Sequence, residues 1–405
     1  MVDGFNLMQN LQTAFNVTSF RSSKPLTKTY SLIDGVISSK AAAVYVAGTA
    51  SVVQSTLNQL AAHIAKAKPN QALCSGVYDY KNLGSSVSCL TKKTQSGQAI
   101  ARSKAYIKHE FNDGNGLIIL DIDAPKTSKF VMPSPEEFFN VVCGVCDGLS
   151  EVRCLSIGSS SARIKGLDKR GYRFYIPTST PTAIKTFMER LHKHLWLAGY
   201  GFIELSSDAK FLNKAIIDTA MKSPHQLDFC GAPILNDGIE QQPLEPLWFG
   251  TDDKPFDCSV LPELNAVQQH NLGNLIQAAK KRLKPEMKVK AKVFKEDKKQ
   301  DYIQAGGTEE DFNLQYSDAK EIIKDDISYR DLHAATVINF DDGRTATVSD
   351  ILENLQSFTE SNGDGLACAD PIEGVNYASG TTCAMLYTNI DKEDKKATIH
   401  THAHG

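Results

Sequence analysis

The stretch GLIILDIDAP, Gly116 to Pro125, decides how the rest of the chain is read. Leu117, Ile118, Ile119 and Leu120 run straight into Asp121 and Asp123, with Ile122 between them. Four consecutive apolar residues suit a buried strand. In a strand, residues i and i+2 share a face, so Asp121 and Asp123 aim together while Ile122 turns the other way into the core. Two carboxylates roughly 6–7 Å apart repel by about 2–3 kcal/mol at an effective dielectric of about 20, so a positive group is expected beside them. Magnesium or manganese would answer that need, because hard cations take carboxylate oxygen and keep waters that a phosphate can displace. A second reading stays open here: a strand reaching solvent, with two surface acids before the Ala124-Pro125 turn. D-x-D after an apolar strand does not choose between the two by itself.

Working outward, "SSSARIKG…GYRFYIPT" follows some forty to fifty residues on and supplies Ser159, Ser160, Ser161, Arg163, Lys165 and Arg173. In "GYRFYIP" Arg173 and Tyr175 fall on one face of a strand, and Phe174 and Ile176 on the other. Arg173 can grip a phosphate with two donors, or it is one arginine on a surface strand. Tyr172, Phe174 and Tyr175 can stack on bases or pack in the sheet. Further on, "IIDTAMKSPHQLDFCGAP" offers a third carboxylate, Asp218, behind two isoleucines, with Asp228 as a competitor.

The bulk numbers set the frame. A chain of 405 residues, 41% hydrophobic and 22% charged, is globular and long enough for two or three domains. Its formal net charge of -3 means that nucleic-acid contact must rest on local patches. No run of 18 apolar residues predicts a membrane span, and the first thirty residues lack the apolar core of a signal peptide. Nine cysteines without a framework rhythm predict reduced thiols in a cytoplasm, bacterial or of a phage-infected host.

Periodicity places strands over Ala41–Gly48, Ser103–Phe111, 117–123, the two segments flanking the serine turn, and "FIELS". It places helices over Ser51–Lys68, over "SPEEFFNVVCGVCDGL" with Ser134, Pro135 and Glu137 as capping signals, over 181–201 and over "FLNKAIIDTAM". Strands and helices alternate from about 110 to 235, which predicts an α/β (α+β) core in two layers on a mixed sheet. Composition divides the chain into 1–265, a helical connector over 266–332, and a smaller C-terminal domain over 333–405. In the connector, Lys280 to Lys299 holds ten Lys or Arg against three acids, and 306–330 is acidic and helical in character. Lys280, Lys281, Arg282 and Lys284 can grip template phosphates, or line a solvated connector. A hairpin turning at Asp341-Asp342-Gly343 and then a helix are expected in the last domain.

Two metal motifs are weaker. Cys143 and Cys146 form C-x-x-C with Cys154 nearby, but the pair sits in an amphipathic helix, where cysteine behaves as a small apolar residue; structural zinc is not expected. His400, His402 and His404 alternate at the tail and read as an exposed terminal strand or a junction.

Taken in order, D-x-D, the serine-rich strand with G-x-R-x-Y, and the h-D-x-x-h segment before "LDF" resemble the archaeo-eukaryotic primase superfamily, and most closely the primase-polymerases of phages, plasmids and mobile elements. The resemblance covers about 110–245 and 333–405. It implies template-directed nucleotidyl transfer, as DNA primase, DNA polymerase or both. Asp121, Asp123 and Asp218 would then hold Mg2+ or Mn2+. Ser159, Ser160, Ser161, Arg163, Lys165, Arg173 and Tyr175 would meet the nucleotide. Template or primer DNA and nucleoside triphosphates are the implied partners. Arg173 stands where the family usually has histidine, and an arginine does not change charge near neutral pH. "TVINFDDGRTATVSDILEN", "ADPIEGVNY" and "ATIHTHAHG" are similar to the segment that joins such primases to a superfamily 3-type helicase. No G-x-x-x-x-G-K-(S/T) occurs, so the chain is expected to be the front half of a larger replication protein or a lone version of it. A non-catalytic DNA-binding module that recruits a helicase, and a different phosphotransfer enzyme such as a nuclease, are the alternatives.

Overall fold

The structure, a computed structural model, describes residues 12–40, 47–90, 99–122, 132–167, 171–236, 238–304, 306, 308–309, 312–313, 321–324, 327–330, 332, 334, 336–358, 365–371, 374–375, 380–389 and 396–401. The chain is α+β and divides into two compact units: Met1–Glu204 with Phe211–Leu283, and Leu205–Lys210 with Lys284–Gly405. No helix among the described residues is long and apolar enough to cross a membrane.

In the first unit the strands are β1 (Phe15–Ser22), β2 (Thr29–Ile33), β3 (Val36–Lys40), β4 (Ala47–Ser55), β5 (Gln71–Cys74), β6 (Ser86–Leu90) and β7 (Ala99–Ala101). There follow β8 (Gly116–Ile122), β9 (Cys154–Gly158), β10 (Tyr172–Thr178), β11 (Gly201–Leu205), β12 (Phe211–Ala215), β13 (Ile234–Leu235) and β14 (Leu247–Phe249). The helices are α1 (Leu57–Lys66), α2 (Tyr80–Leu83), α3 (Pro135–Cys143), α4 (Ile184–Leu197) and the long α5 (Ala266–Gln304), whose residues from Lys284 on belong to the second unit. A five-stranded sheet runs β5-β1-β4-β6-β7 and a four-stranded sheet β14-β9-β10-β8. Mixed pairing occurs in the five-stranded sheet, where β6 and β7 pair parallel, and in a three-stranded sheet β13-β2-β3, where β13 and β2 do. Every pairing in the four-stranded sheet is antiparallel.

β8 forms where the apolar run predicts it, and Leu117, Ile118, Ile119, Leu120 and Ile122 are all buried. The alternation of β10 sorts its two faces. Phe174 lies within ring-contact distance of Phe138 and Phe139 from α3 and of Phe249 from β14. Arg173 and Tyr175 turn to the opposite face. α3 starts at the predicted capping box: the Glu137 N–H donates to Ser134 Oγ (3.2 Å), and the Ser134 N–H to Glu137 Oε2 (2.7 Å). Ser134→Ala is expected to lower unfolding free energy by about 1 kcal/mol, read as a shift of the urea midpoint at unchanged m-value.

Four element expectations are corrected. Ser51–Ser55 is strand and only Leu57–Lys66 is helix, because β4 pairs with β1 along its whole length and Thr56 then caps the helix with a capping box. Ser103–Phe111 is turn, not strand, apart from the bridge between Val77 and Lys108. "FLNKAIIDTAM" is not helical: Phe211–Ala215 pairs with β11, and a 3-10 turn follows over Thr219–Lys222. The connector's acidic stretch holds strands at Glu321–Lys324 and Ile327–Arg330. In the first, third and fourth cases strand pairing overrides local periodicity. Ala41 to Val46 lie outside the described residues.

The Ser103–Phe111 segment carries a buried histidine. His109 is 4% exposed, and its Nε2 lies 3.0 Å from Ser75 Oγ. Burial pushes its imidazole down to about 4 from an ordinary 6.5. The unfolded chain therefore takes the proton first as pH falls. Stability is fully present above pH 6.5 and is lost between there and about pH 4, by about 2–3 kcal/mol. Urea titrations across that window should show the loss in the native protein and a flatter profile in His109→Gln.

The second unit carries the predicted hairpin, Val337–Asn339 with Thr345–Thr347, then a helix over Val348–Glu353. A three-stranded sheet of Leu366–Cys368, Ala384–Asn389 and Lys396–Thr401 encloses a core with Ile338, Phe340, Ile351 and Leu386.

Candidate active site

The antiparallel register sets Arg173 of β10 directly opposite Asp121 of β8. Directly opposed residues point to the same face, so the two side chains meet. Arg173 Nε lies 3.3 Å from Asp121 Oδ1 and 3.0 Å from Asp228 Oδ1. Tyr175, two residues along, donates its hydroxyl to Asp228 Oδ2 at 2.7 Å. Asp228 is fixed by its backbone: its N–H donates to Leu73 O, and the Leu73 N–H donates to Asp228 O. Strand β5 thus holds a carboxylate against β10, and the guanidinium bridges two acids.

Burial ranks these groups. The Arg173 side chain is 8% exposed, that of Asp228 0% and that of Asp121 21%. A fully buried carboxylate is tolerable only when paired. Burial alone would pull the Arg173 guanidinium down, but the charges of Asp228 and Asp121 outweigh it and hold the group above its ordinary value. Burial, then the Asp228 charge, pushes the Tyr175 phenol well up, so it stays a hydrogen-bond donor. Burial likewise raises the Cys230 thiol beside them.

Asp218 arrives at the same place by another route. Ile217 bridges Ile122, and the Asp218 N–H donates to Asp121 O at 2.8 Å. Its carboxylate Oδ1 accepts the Ala220 N–H at 2.9 Å and caps the 3-10 turn that follows. The backbone, then, joins Asp218 to Asp121. Asp123 lies outside the described residues. Among the described residues no three His, Cys, Asp or Glu side chains gather as a metal-binding group.

The serine turn leaves the same end of the sheet, since Gly158 pairs with Tyr172 and Tyr172 with Ile122. The Ser159 N–H donates to Gly171 O, and Ser159 Oγ stands 3.5 Å from Ser161 Oγ. Ser160 O accepts from Gln241 Nε2. Arg163, at a left-handed φ of 58°, donates to Pro243 O and Gln242 Oε1. Lys165 is 81% exposed and lies 3.9 Å from Glu240. Arg163 and Lys165 are therefore surface cations, whereas Arg173 and Tyr175 are enclosed. Arg173 Nε faces Asp121 and Asp228 and its Nη1 donates to Phe229 O, while the Tyr175 hydroxyl is given to Asp228.

Asp228 entered the sequence reading only as a competitor for Asp218. Its signal was an acid set inside the apolar stretch "LDFC", which has no use for a charge without a buried partner. On α5, Lys281, Arg282 and Lys284 are exposed and Lys280 is half-buried; Lys280, Lys281 and Arg282 belong to the first unit and Lys284 to the second. Cys143 is half-buried, Cys146 and Cys154 are buried, and burial lifts the first two thiols to about 11 and about 12. His400 meets the Tyr387 ring edge-on. His402 and His404 lie outside the described residues. Comparison with protein-family models, curated proteins and solved structures finds no match.

Proposed function

We propose that this chain carries out template-directed nucleotidyl transfer, as a DNA primase, a DNA polymerase or both. One observation carries the reading: segments around residues 121, 159, 173 and 218, far apart in sequence, converge on one end of a single antiparallel sheet. A surface sheet with a stray D-x-D would not need that convergence.

A divalent metal fits the reachable part of the cluster. The Asp121 carboxylate is partly exposed while Asp228 is sealed, so a cation from solvent meets Asp121. Mg2+ and Mn2+ accept one or two carboxylates and fill the rest of the shell with water and phosphate. Asp121, with Asp123 and Asp218, would hold it. Bound there, it would stabilise charge on the attacking and leaving oxygens of an in-line displacement.

The remaining work falls to the chain's own residues. Arg173 fixes the orientation of Asp121, and Asp228 with Tyr175 fixes Arg173. Ser159, Ser160 and Ser161 offer hydroxyls at the sheet end, and Arg163 and Lys165 offer the positive charge that a triphosphate needs. Lys281, Arg282 and Lys284, exposed on α5, would meet the template backbone, or a helicase-bound strand, through charge.

A second reading has its own observation. Arg173 already sets a positive charge against Asp121, as expected if the chain only binds DNA and recruits a helicase. Primer extension with labelled primer–template and Mg2+ or Mn2+ separates the two. Incorporation that disappears in Asp121→Asn supports the enzyme. DNA binding without incorporation under either metal supports the binding module.

A further inference from the structure

The first unit holds a cavity of about 390 Å³ between α4, β12, the 3-10 turn that follows Asp218, and α5. Glu189, His192, Lys193 and Trp196 line it from α4, at the i, i+3, i+4 and i+7 spacing of one helix face. Phe187, Leu191 and Leu195 of the same helix are buried in the core. Leu272 and Ile276, one turn apart on α5, supply an aliphatic wall, and Thr219 joins them directly after Asp218. A Cβ on Gly201 would run into the Trp196 ring, so the indole rests on bare backbone and is held there.

The charges around the cavity are already matched. Lys193 Nζ lies 2.6 Å from Glu263 Oε1, and Lys222 Nζ lies 2.9 Å from Glu189 Oε1. Burial holds the His192 imidazole below its ordinary value, which keeps it neutral at pH 7. Hydrogen-bonding capacity, by contrast, is left over. His192 Nε2 lies 3.3 Å from Asn213 Oδ1 and donates to it, which leaves a lone pair on Nδ1. Asn213, exposed on β12, keeps both Nδ2 hydrogens and a second lone pair on Oδ1. Trp196 Nε1 and His192 Nδ1, one turn apart on α4, are buried with no hydrogen-bond partner among the described residues. Native proteins seldom leave buried polar atoms so, and here both belong to the walls of a cavity.

We propose that this cavity binds a nucleobase. A flat ring would lie against Leu272 and Ile276 while its edge pairs a donor and an acceptor with the Asn213 carboxamide, the way asparagine pairs with adenine. An anion would find no unmatched cation among the lining residues. An aliphatic ligand would leave Asn213, His192 and Trp196 without partners. No metal takes part, and neither do Asp121 or Asp228, so the site does not rest on the nucleotidyl-transfer reading.

Equilibrium dialysis of the full chain against labelled adenosine, guanosine, cytidine and uridine, without metal or DNA, tests this. At least one nucleoside should bind saturably with Kd below about 1 mM. Its 5′-monophosphate should bind no tighter, because the lysines are already paired. Asn213→Ala should weaken binding about tenfold, and Ile276→Phe, which fills the cavity, should abolish it. Asn213 is exposed and Ile276 half-buried, so thermal midpoints near that of the native protein confirm folding. Asp121→Asn should bind as the native chain does. A single-stranded oligonucleotide separates the two sources of the base: competition places it on a strand, and failure to compete leaves the free nucleoside. Absence of saturable binding by all four nucleosides would overturn the site. So would binding that neither variant changes, or binding by inorganic phosphate in place of the nucleoside. Primer extension without nucleoside binding would remove this site alone, and nucleoside binding without extension would remove the enzyme alone.

Discussion

Arg173→Ala is expected to lower the unfolding free energy by about 3–5 kcal/mol, more than any other single truncation in the sheet that carries the site. The reason is what it leaves behind. Asp228 would stay at 0% exposure with only the Tyr175 hydroxyl against its charge, and Asp121 would lose the cation opposite it. Asp228 cannot relax to water cheaply, because it is held by both backbone bonds to Leu73. Arg173→Lys keeps the charge but not the planar fork, and should fall between the two. The paired change Arg173→Met/Asp228→Asn should recover much of the loss, since removing both ends of a buried ion pair costs far less than removing one. Urea unfolding of the four proteins measures all of this. A midpoint for Arg173→Ala within about 1 kcal/mol of the native value would show that the bridge carries little.

That bridge also marks the limit of the sequence. The strand at 116–122, the capping box at Ser134 and the hairpin turning at 341–343 were legible because each is a local pattern with one physical meaning. The period-2 reading of "GYRFYIP" placed Arg173 and Tyr175 on one face, and the structure has them there, both reaching Asp228. Which acid they reach was not legible. Asp218 and Asp228 lie ten residues apart, each directly after an aliphatic residue, and the choice is made by β5, whose pairing with residue 228 leaves no local trace. The same holds for "FLNKAIIDTAM". Its apolar spacing suits a helix, but β11 lies alongside and takes its backbone into a ladder. Strand pairing decided both segments of the first unit that periodicity read as helix and the structure has as strand, Ser51–Ser55 and Phe211–Ala215.

Asp121→Asn is expected to reduce primer extension by about 10³-fold, corresponding to about 4 kcal/mol of lost transition-state stabilisation, if the site holds a divalent metal. The substitution preserves size and one carbonyl oxygen. Asp121 is the least buried member of the cluster, so stability should change by about 1 kcal/mol or less. A large kinetic loss with little change in stability is the signature of a ligand rather than a strut. Asp218→Asn makes the companion measurement. Asparagine caps a turn about as well as aspartate, so the bond to the Ala220 N–H survives while the charge does not. If Asp218 serves only as a cap, Asp218→Asn extends like the native protein and Asp218→Ala is merely less stable. If it shares the metal with Asp121, both variants lose extension, and Mn2+ affinity falls in step when followed by titration without DNA. Extension by Asp121→Asn at the native rate would end the metal assignment, because the Asp121 charge would then serve only to hold Arg173.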